Sequence, residues 1–313
     1  MTRALVFPGQ GSQAVGMGVA LAEAFGVARE VFEEVDEALK QPLFRLMQDG
    51  PESDLTLTEN AQPALMAVSM AVMRVLQAEG GLDLKKHVSH VAGHSLGEYS
   101  ALAAAGSIGL ADTARLLKRR GQAMQRAVPV GAGAMAALLG LSLEDAVAVA
   151  EEAAQGEVCR AANDNAEGQV VISGTAAAID RAVEIAKGKG AKRSMRLQVS
   201  APFHCPLMQP AADEMAEALA EVRVVAPAVP LVANVTASAL DDPDRIRALL
   251  VQQVTAMVRW RESVLYMKAQ GVDRLVEIGA GKVLATMTKR IDREVEASAV
   301  NTPADIEAFI GTL

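Results

Sequence analysis

Histidine and cysteine are both scarce in this chain, at four and two in 313 residues. The two cysteines, Cys159 and Cys205, have neither the CxxC spacing of a metal or redox pair nor the density of a disulfide scaffold. They read as free thiols in a reducing compartment, which places the protein in the cytoplasm, and no metal site is expected. An excess of basic residues is missing too. Thirty Lys and Arg stand against 38 Asp and Glu, a formal net charge of −8, the wrong sign for a protein that works on nucleic acid or on an anionic membrane surface. Any anionic partner has to be met by a local patch. Long apolar runs are also absent. The run at 4–7 stops at Pro8, far short of the apolar segment of a signal peptide. The longest uncharged stretch, 127–143, is broken by Pro129, Gly131, Gly133 and Gly140, so no membrane span is expected.

What is present is a globular balance, 51 % apolar and 22 % charged. The length exceeds the roughly 250 residues at which single cores begin to split, so a second, smaller unit is expected. The apolar strand at 4–7 runs into the loop Pro8-Gly9-Gln10-Gly11-Ser12-Gln13, too rich in Gly to continue a ladder. Helical patterns follow at 19–39 and 61–79. A second strand at 88–92 enters Gly93-His94-Ser95-Leu96-Gly97, and helix formers resume at 98–105. From 127 to 198 the periodicity changes to strand 133–139, helix 142–154, strand 157–162, strand 169–173, helix 175–188 and strand 192–199. That βαββαβ order is the ferredoxin-like unit. The α/β pattern resumes with an apolar run at 229–235, helices at 243–254 and 260–270, and a strand at 274–278. The expected architecture is therefore a large α/β-hydrolase-like domain with a parallel sheet, 1–126 and 199–313, carrying an inserted ferredoxin-like subdomain, 127–198. The cleft between them is the place for a small ligand.

Gly-x-Ser-x-Gly between a strand and a helix is a nucleophile elbow, whose tight turn exposes the serine hydroxyl at a helix N-terminus; the alternative is a Gly-rich turn with a buried serine. The elbow makes Ser95 the candidate nucleophile, with the backbone N–H of Leu96 as half of an oxyanion hole. A serine needs a base, and four histidines make the search short. His87 and His90 flank the strand and read as surface or structural residues. His94 adjoins Ser95, and adjacent side chains in such a turn point apart, so packing is its expected task. His204, in the irregular segment Ser200-Ala201-Pro202-Phe203-His204-Cys205-Pro206, is the base by elimination. Cys205 is the weaker nucleophile, having no elbow and no second histidine. On the helix at 110–126, Arg120 falls on the inward stripe with Leu116, Leu117, Gly121 and Met124, whereas Arg119 lies on the solvated side. An inward guanidinium needs an anionic partner, either an Asp or Glu of the protein or the carboxylate of a ligand.

Together, the PGQGSQ loop, GHSLGE at 93–98, the inserted unit, Asn163-x-Asn165 followed by GQVVISG, His204 in PFHC, and VEIGAGKVL near the end resemble the malonyl-CoA:acyl-carrier-protein transacylase family over nearly the whole chain. The resemblance implies a serine acyltransferase that moves a malonyl group from malonyl-CoA to the phosphopantetheine thiol of a holo acyl carrier protein, supplying fatty acid elongation with no bound cofactor. It implies that Ser95 carries the acyl ester, His204 is the base and Arg120 grips the malonyl carboxylate. The N–H groups of Gln10 and Leu96 are implied as the oxyanion hole, and the backbone carbonyl of Gln253 as the orienter of His204, so the side chain of Gln253 is expected to matter little. Phe203, Asn163 and Asn165 are implied at the substrate. Phe203 resembles the bulky residue of malonyl-selective members, which crowds an α-methyl branch. A methylmalonyl transferase, a serine thioesterase or hydrolase on the same scaffold, and a non-catalytic carrier-binding module are the competing readings. The expected partners are malonyl-CoA and the carrier protein, with no nucleic acid and no membrane, and the expected state is a monomer. Lys187, Lys189, Lys192, Arg193 and Arg196 form the candidate docking patch for an acidic carrier, with Lys289 and Arg290 as a second cluster.

Overall fold

The computed structural model describes residues 2–313. Ten strands form two sheets. They are β1 (Arg3–Phe7), β2 (His90–Gly93), β3 (Gly133–Leu139), β4 (Cys159–Ala166), β5 (Gln169–Thr175), β6 (Arg193–Arg196), β7 (Leu231–Ala233), β8 (Ser238–Leu240), β9 (Arg274–Ile278) and β10 (Glu296–Val300). The large sheet has the order β10-β9-β1-β2-β7-β8, parallel throughout except for the β7/β8 pair. β1 lies at its centre with every residue buried, as a parallel strand covered by helices on both faces must be. The chain passes from β1 to β2 on one side and to β9 on the other, so the carboxyl ends of β1 and β2 open at the point where the strand order reverses. In open α/β sheets that crevice is where ligands bind.

One face of the sheet is covered by the helix Thr58–Ala78, which is buried along most of its length and packs on the helix Leu110–Ala127. Its sequence is apolar nearly all round, the signature of a helix enclosed on every side. The other face carries a separate core built around Trp260, Val264, Met267 and Leu284.

The small sheet, β4-β5-β3-β6, is antiparallel throughout and lies in the chain between β2 and β7. The helices Leu143–Ala154 and Ala176–Gly188 start at Ser142 and Thr175, whose side chains accept hydrogen bonds from the backbone N–H of Asp145 and Ala178, the satisfaction that a helix start requires. Alternation along the strands divides two faces. Ala136, Leu138, Val170 and Ile172 pack under the two helices, while Met135, Ala162 and Val171 form a second cluster with Leu197, Val199 and Phe203.

Several elements differ from the sequence expectation. The helix expected at 19–39 is two, Val19–Ala24 and Gly26–Leu39, because Phe25 is extended (φ −131°, ψ 118°). The helix expected to resume at 98 begins at Leu96, directly after the elbow. The strand expected at 192–199 ends at Arg196, beyond which only the N–H of Leu197 pairs back, with Met135 O, before the chain turns toward His204. The strand expected at 157–162 runs on to Ala166 through two register shifts. There β4 reaches the large sheet's half of the molecule: Val258 N–H donates to Ala162 O, Asp164 N–H donates to Val258 O, and Arg261 pairs with the buried Asp164 at 3.0 Å. The helices Gln209–Ala220, Val283–Ile291 and Pro303–Ile310 and the strands β8 and β10 were not anticipated. Among the described residues no helix is long and apolar enough to cross a membrane.

Candidate active site

The turn after β2 is built by two glycines that tolerate no replacement. A Cβ on Gly93 would lie 1.9 Å from the Gly97 carbonyl carbon, and one on Gly97 would lie 2.2 Å from Phe7 O at the end of β1. That close approach forces the chain to reverse within one residue, and Ser95 takes the strain, with φ 53° and ψ −110°. A non-glycine residue so placed costs of order 1–3 kcal/mol and persists only when its surroundings fix it. Both main-chain ends of Ser95 are fixed. Its N–H donates to Asn234 Oδ1 at 2.8 Å, and its carbonyl accepts from Gln253 Nε2 at 3.0 Å.

The exposed hydroxyl meets the histidine chosen by elimination. Ser95 Oγ lies 2.8 Å from His204 Nε2, and His204 Nδ1 lies 2.9 Å from the backbone carbonyl of Gln253. A carbonyl can only accept, so Nδ1 carries the hydrogen and, in the neutral ring, Nε2 is bare and accepts from the serine. Burial and the neighbouring Arg120 push the His204 pKa down to about 3, which keeps the ring neutral. Cys205 is not a competitor. Its thiol is buried, donates to Pro202 O at 3.2 Å and is pushed up by burial away from the reactive thiolate.

Arg120 is 1 % exposed, on the inward face of its helix. None of its hydrogen bonds goes to an Asp or Glu. Nη1 donates to Gln62 Oε1 at 2.8 Å; Nη2 donates to Gln253 Oε1 at 2.8 Å and to Ser95 Oγ at 3.1 Å; Nε has no partner among the described residues. The guanidinium carbon stands 5.6 Å from the Tyr99 ring centroid, within cation–π range. The groups that accept from the guanidinium are thus neutral, and the buried Glu98 acts on it only through space.

Both N–H groups expected to form an oxyanion hole are available: among the described residues neither Gln10 N–H nor Leu96 N–H donates to a protein group. The Gln10 loop is held by its side chain, whose Nε2 donates to Thr58 Oγ1 at 3.3 Å. Gln10, Gln62, Ser95, Leu96, Arg120 and His204 line one cavity of about 350 Å³, whose wall also includes Met135, Asn163, Asn165, Phe203 and Met287. Asn165 Oδ1 accepts from His94 Nε2 at 2.9 Å, which gives His94 the packing task expected of it and fixes the amide over the cavity. Among the described residues no cluster of His, Cys, Asp and Glu could hold a metal.

One expectation fails. The side chain of Gln253 is not idle: it receives Arg120 and donates both to Ser95 O and to Glu98 Oε2, the last at 2.7 Å. Gln62, Glu98 and Asn234 were assigned no part. Gln62 follows the polar residues Thr58, Glu59 and Asn60 at the start of its helix, so it does not stand out in the sequence. Glu98 looked like an ordinary acid in a first helical turn, where the dipole favours one, and Asn234 sat inside an apolar run. The basic patch is weaker than its sequence suggests, since Lys187, Lys189 and Arg196 pair with Glu184, Glu152 and Asp180. Among the described residues Lys192 and Arg193 make no such pair.

Residues 4–310 match the acyl transferase domain family. Over 307 residues, 98 % of each chain, the sequence is 48 % identical to a protein of Escherichia coli K12 named malonyl CoA-acyl carrier protein transacylase. It is 42 % identical to a protein of the same name from Bacillus subtilis over 99 % of this chain and 96 % of the relative. Among solved structures, the acyl-carrier-protein-S-malonyltransferase of Bartonella henselae superposes with a TM-score of 0.98 at 56 % identity, covering 100 % and 99 % of the two chains. A malonyl-transacylase solved in complex with a type II PKS acyl-carrier protein matches with a TM-score of 0.96 at 44 % identity, covering all of both chains.

Proposed function

This chain belongs to the acyl transferase family, and we propose that it moves malonyl groups from malonyl-CoA to the phosphopantetheine thiol of an acyl carrier protein, through an ester on Ser95, to supply fatty acid elongation. The observation that carries the reading is a strained serine 2.8 Å from a neutral histidine and 3.1 Å from a buried arginine that hydrogen-bonds no acid. His204 Nε2 takes the Ser95 proton as Oγ attacks the thioester carbon. The oxyanion accepts from the N–H groups of Gln10 and Leu96, each such donor being worth about a hundred- to a thousandfold in rate. The C–S bond breaks, and His204 returns the proton to the departing CoA thiolate. In the second half the carrier thiol gives its proton to His204 and attacks the ester, and Ser95 leaves as the reprotonated alcohol.

Arg120 is read as the group that takes the free carboxylate of malonyl. Its planar fork suits a carboxylate, and the ligand would supply the hydrogen-bonded carboxylate that the protein does not. Phe203, Asn163 and Asn165 are read as substrate-side wall, with Phe203 disfavouring a methyl branch. On this reading the thioester brings the activated acyl group, so no bound cofactor is needed. All the named groups come from one chain, so a monomer suffices, and the two free cysteines suit a cytoplasmic protein. The small sheet, 127–198, is read as a ferredoxin-like subdomain inserted into an α/β-hydrolase-like domain formed by 1–126 and 199–313. Peptide mapping after mixing with malonyl-CoA tests the assignment: a malonyl adduct on the Ser95 peptide is expected, with none in Ser95→Ala. An adduct on Cys205, or one that survives the substitution, would overturn it.

A further inference from the structure

Three reactive groups converge in the cavity, and none is fixed by its own element alone. Ser95 sits on a strained turn, Arg120 at mid-helix, and His204 in an irregular segment with φ 56°. What they share is a polar cluster behind them, Glu98, Asn234 and the side chain of Gln253, that the mechanism does not use. Glu98 is 1 % exposed, and its Oε2 accepts from Gln253 Nε2 at 2.7 Å and from the backbone N–H of Asn234 at 3.2 Å. Asn234 in turn accepts from Ser95 N–H at 2.8 Å and donates from Nδ2 to Gly93 O at 2.6 Å. Gln253 bonds Ser95 O and Arg120 through its side chain and His204 through its main chain. Asn234 and Gln253 are themselves fully buried.

We infer that Glu98 is the positioning residue of this site: one carboxylate oxygen joins Asn234 to Gln253, and through those two amides it fixes both ends of Ser95, the Arg120 fork and the His204 ring in one arrangement. The argument is one of connectivity. The cluster ties the helix Leu96–Ala104, the end of β7 and the last residue of the helix Pro243–Gln253 into one unit. Removing Glu98 leaves two buried donors unpaired, one on the Gln253 amide and one on the Asn234 main chain; the Gln253 amide keeps Ser95 O and Arg120, so the reactive groups lose the anchor they share and would shift together. A misplacement of about 1 Å at a reacting centre costs on the order of a hundredfold in rate. Burial pushes the Glu98 carboxyl up to about 7, and Oε2 accepts these hydrogen bonds in either state, the proton sitting on the other oxygen when the group is neutral. Gln at this position keeps an acceptor oxygen at the same reach, whereas Ala does not.

The inference rests on Ser95 as the acylated residue, and the test separates the two. Single-turnover malonylation by malonyl-CoA would be measured for wild type, Glu98→Gln, Glu98→Ala and Asn234→Ala, with melting by circular dichroism to count folded molecules. The expected result is a maximal rate per folded molecule about a hundredfold lower in Glu98→Ala, recovery to within about tenfold in Glu98→Gln, and a loss in Asn234→Ala at a substrate half-saturation within about threefold of wild type. A structural role alone would lower melting without moving these rates. Wild-type rates per folded molecule in Glu98→Ala or Asn234→Ala, or a Gln variant as slow as the Ala variant, would overturn the inference. If wild type itself formed no Ser95 adduct, the functional reading would fall instead.

Discussion

Arg120 offers the sharpest perturbation, because its three hydrogen-bond acceptors are neutral and a ligand carboxylate is the use proposed for its charge. Arg120→Lys keeps a cation but replaces a planar fork with a point charge. The shorter reach of the donors abandons at least one of the contacts to Gln62 and Gln253, now 2.8 Å each. Arg120→Ala removes the charge as well. Losing one partner of a buried charge pair costs about 3–5 kcal/mol, which at about 1.4 kcal/mol per tenfold is a loss of roughly two to three and a half decades in kcat/KM for malonyl-CoA. Acetyl-CoA has no distal carboxylate, so it should lose far less, and the ratio of acetyl to malonyl transfer should rise by a hundredfold or more on the same arithmetic. The Lys variant should fall between, because it retains the charge without the two-point geometry. The assay is the initial rate of transfer with each thioester at limiting concentration. An equal fall for both substrates in Arg120→Ala would refute the reasoning and make the arginine a structural residue.

His204 is held well below its ordinary pKa by burial and by Arg120, so the ring should stay neutral as pH falls through the usual histidine range. Its NMR resonances should not titrate between about pH 5 and 8, and a midpoint near the ordinary value would contradict the account; Arg120→Ala should move the midpoint upward. Gly97→Ala forces a Cβ to 2.2 Å from Phe7 O. The elbow should open at a cost of at least about 1–3 kcal/mol in urea unfolding, with no serine adduct, and a normal adduct would show the turn to be more forgiving than its geometry. For the carrier, Lys192→Glu with Arg193→Glu should raise the apparent KM for holo carrier protein and flatten its dependence on salt, while self-acylation by malonyl-CoA stays normal; equal carrier kinetics at low salt would shift the test to Lys289 and Arg290.

The elbow was readable because its determinants are local: two glycines, a strand before and a helix after, all between His90 and Ala104. His204 was readable because so few histidines compete, and Arg120 because a charge on an apolar stripe stands out at helical spacing. The contacts that decide their chemistry were not local. Arg120 bonds residues 58 and 133 positions away, and Gln253 bonds Ser95 across 158, so no periodicity could disclose them. The Gln253 side chain was underrated for the same reason, since a resemblance that specifies a main-chain contact says nothing about the amide beyond it. Element boundaries slipped where tertiary contacts overrode the local pattern. β4 runs past its apolar stretch because Asp164 finds Arg261 and Val258 across the interface, and the expected last strand of the small sheet is cut short where the chain leaves to deliver His204.

The central claim is that malonyl resides on Ser95 between its two thiol carriers, and isolation of the acyl-enzyme tests it most directly. Protein treated with malonyl-CoA and freed of coenzyme A should retain the malonyl mass, then surrender it to holo carrier protein within the turnover time while remaining acylated in buffer alone. Mass spectrometry of both proteins should find the group on the phosphopantetheine arm. A malonyl-enzyme that releases free malonate as fast as it charges the carrier would contradict the account and identify a hydrolase built on the same serine.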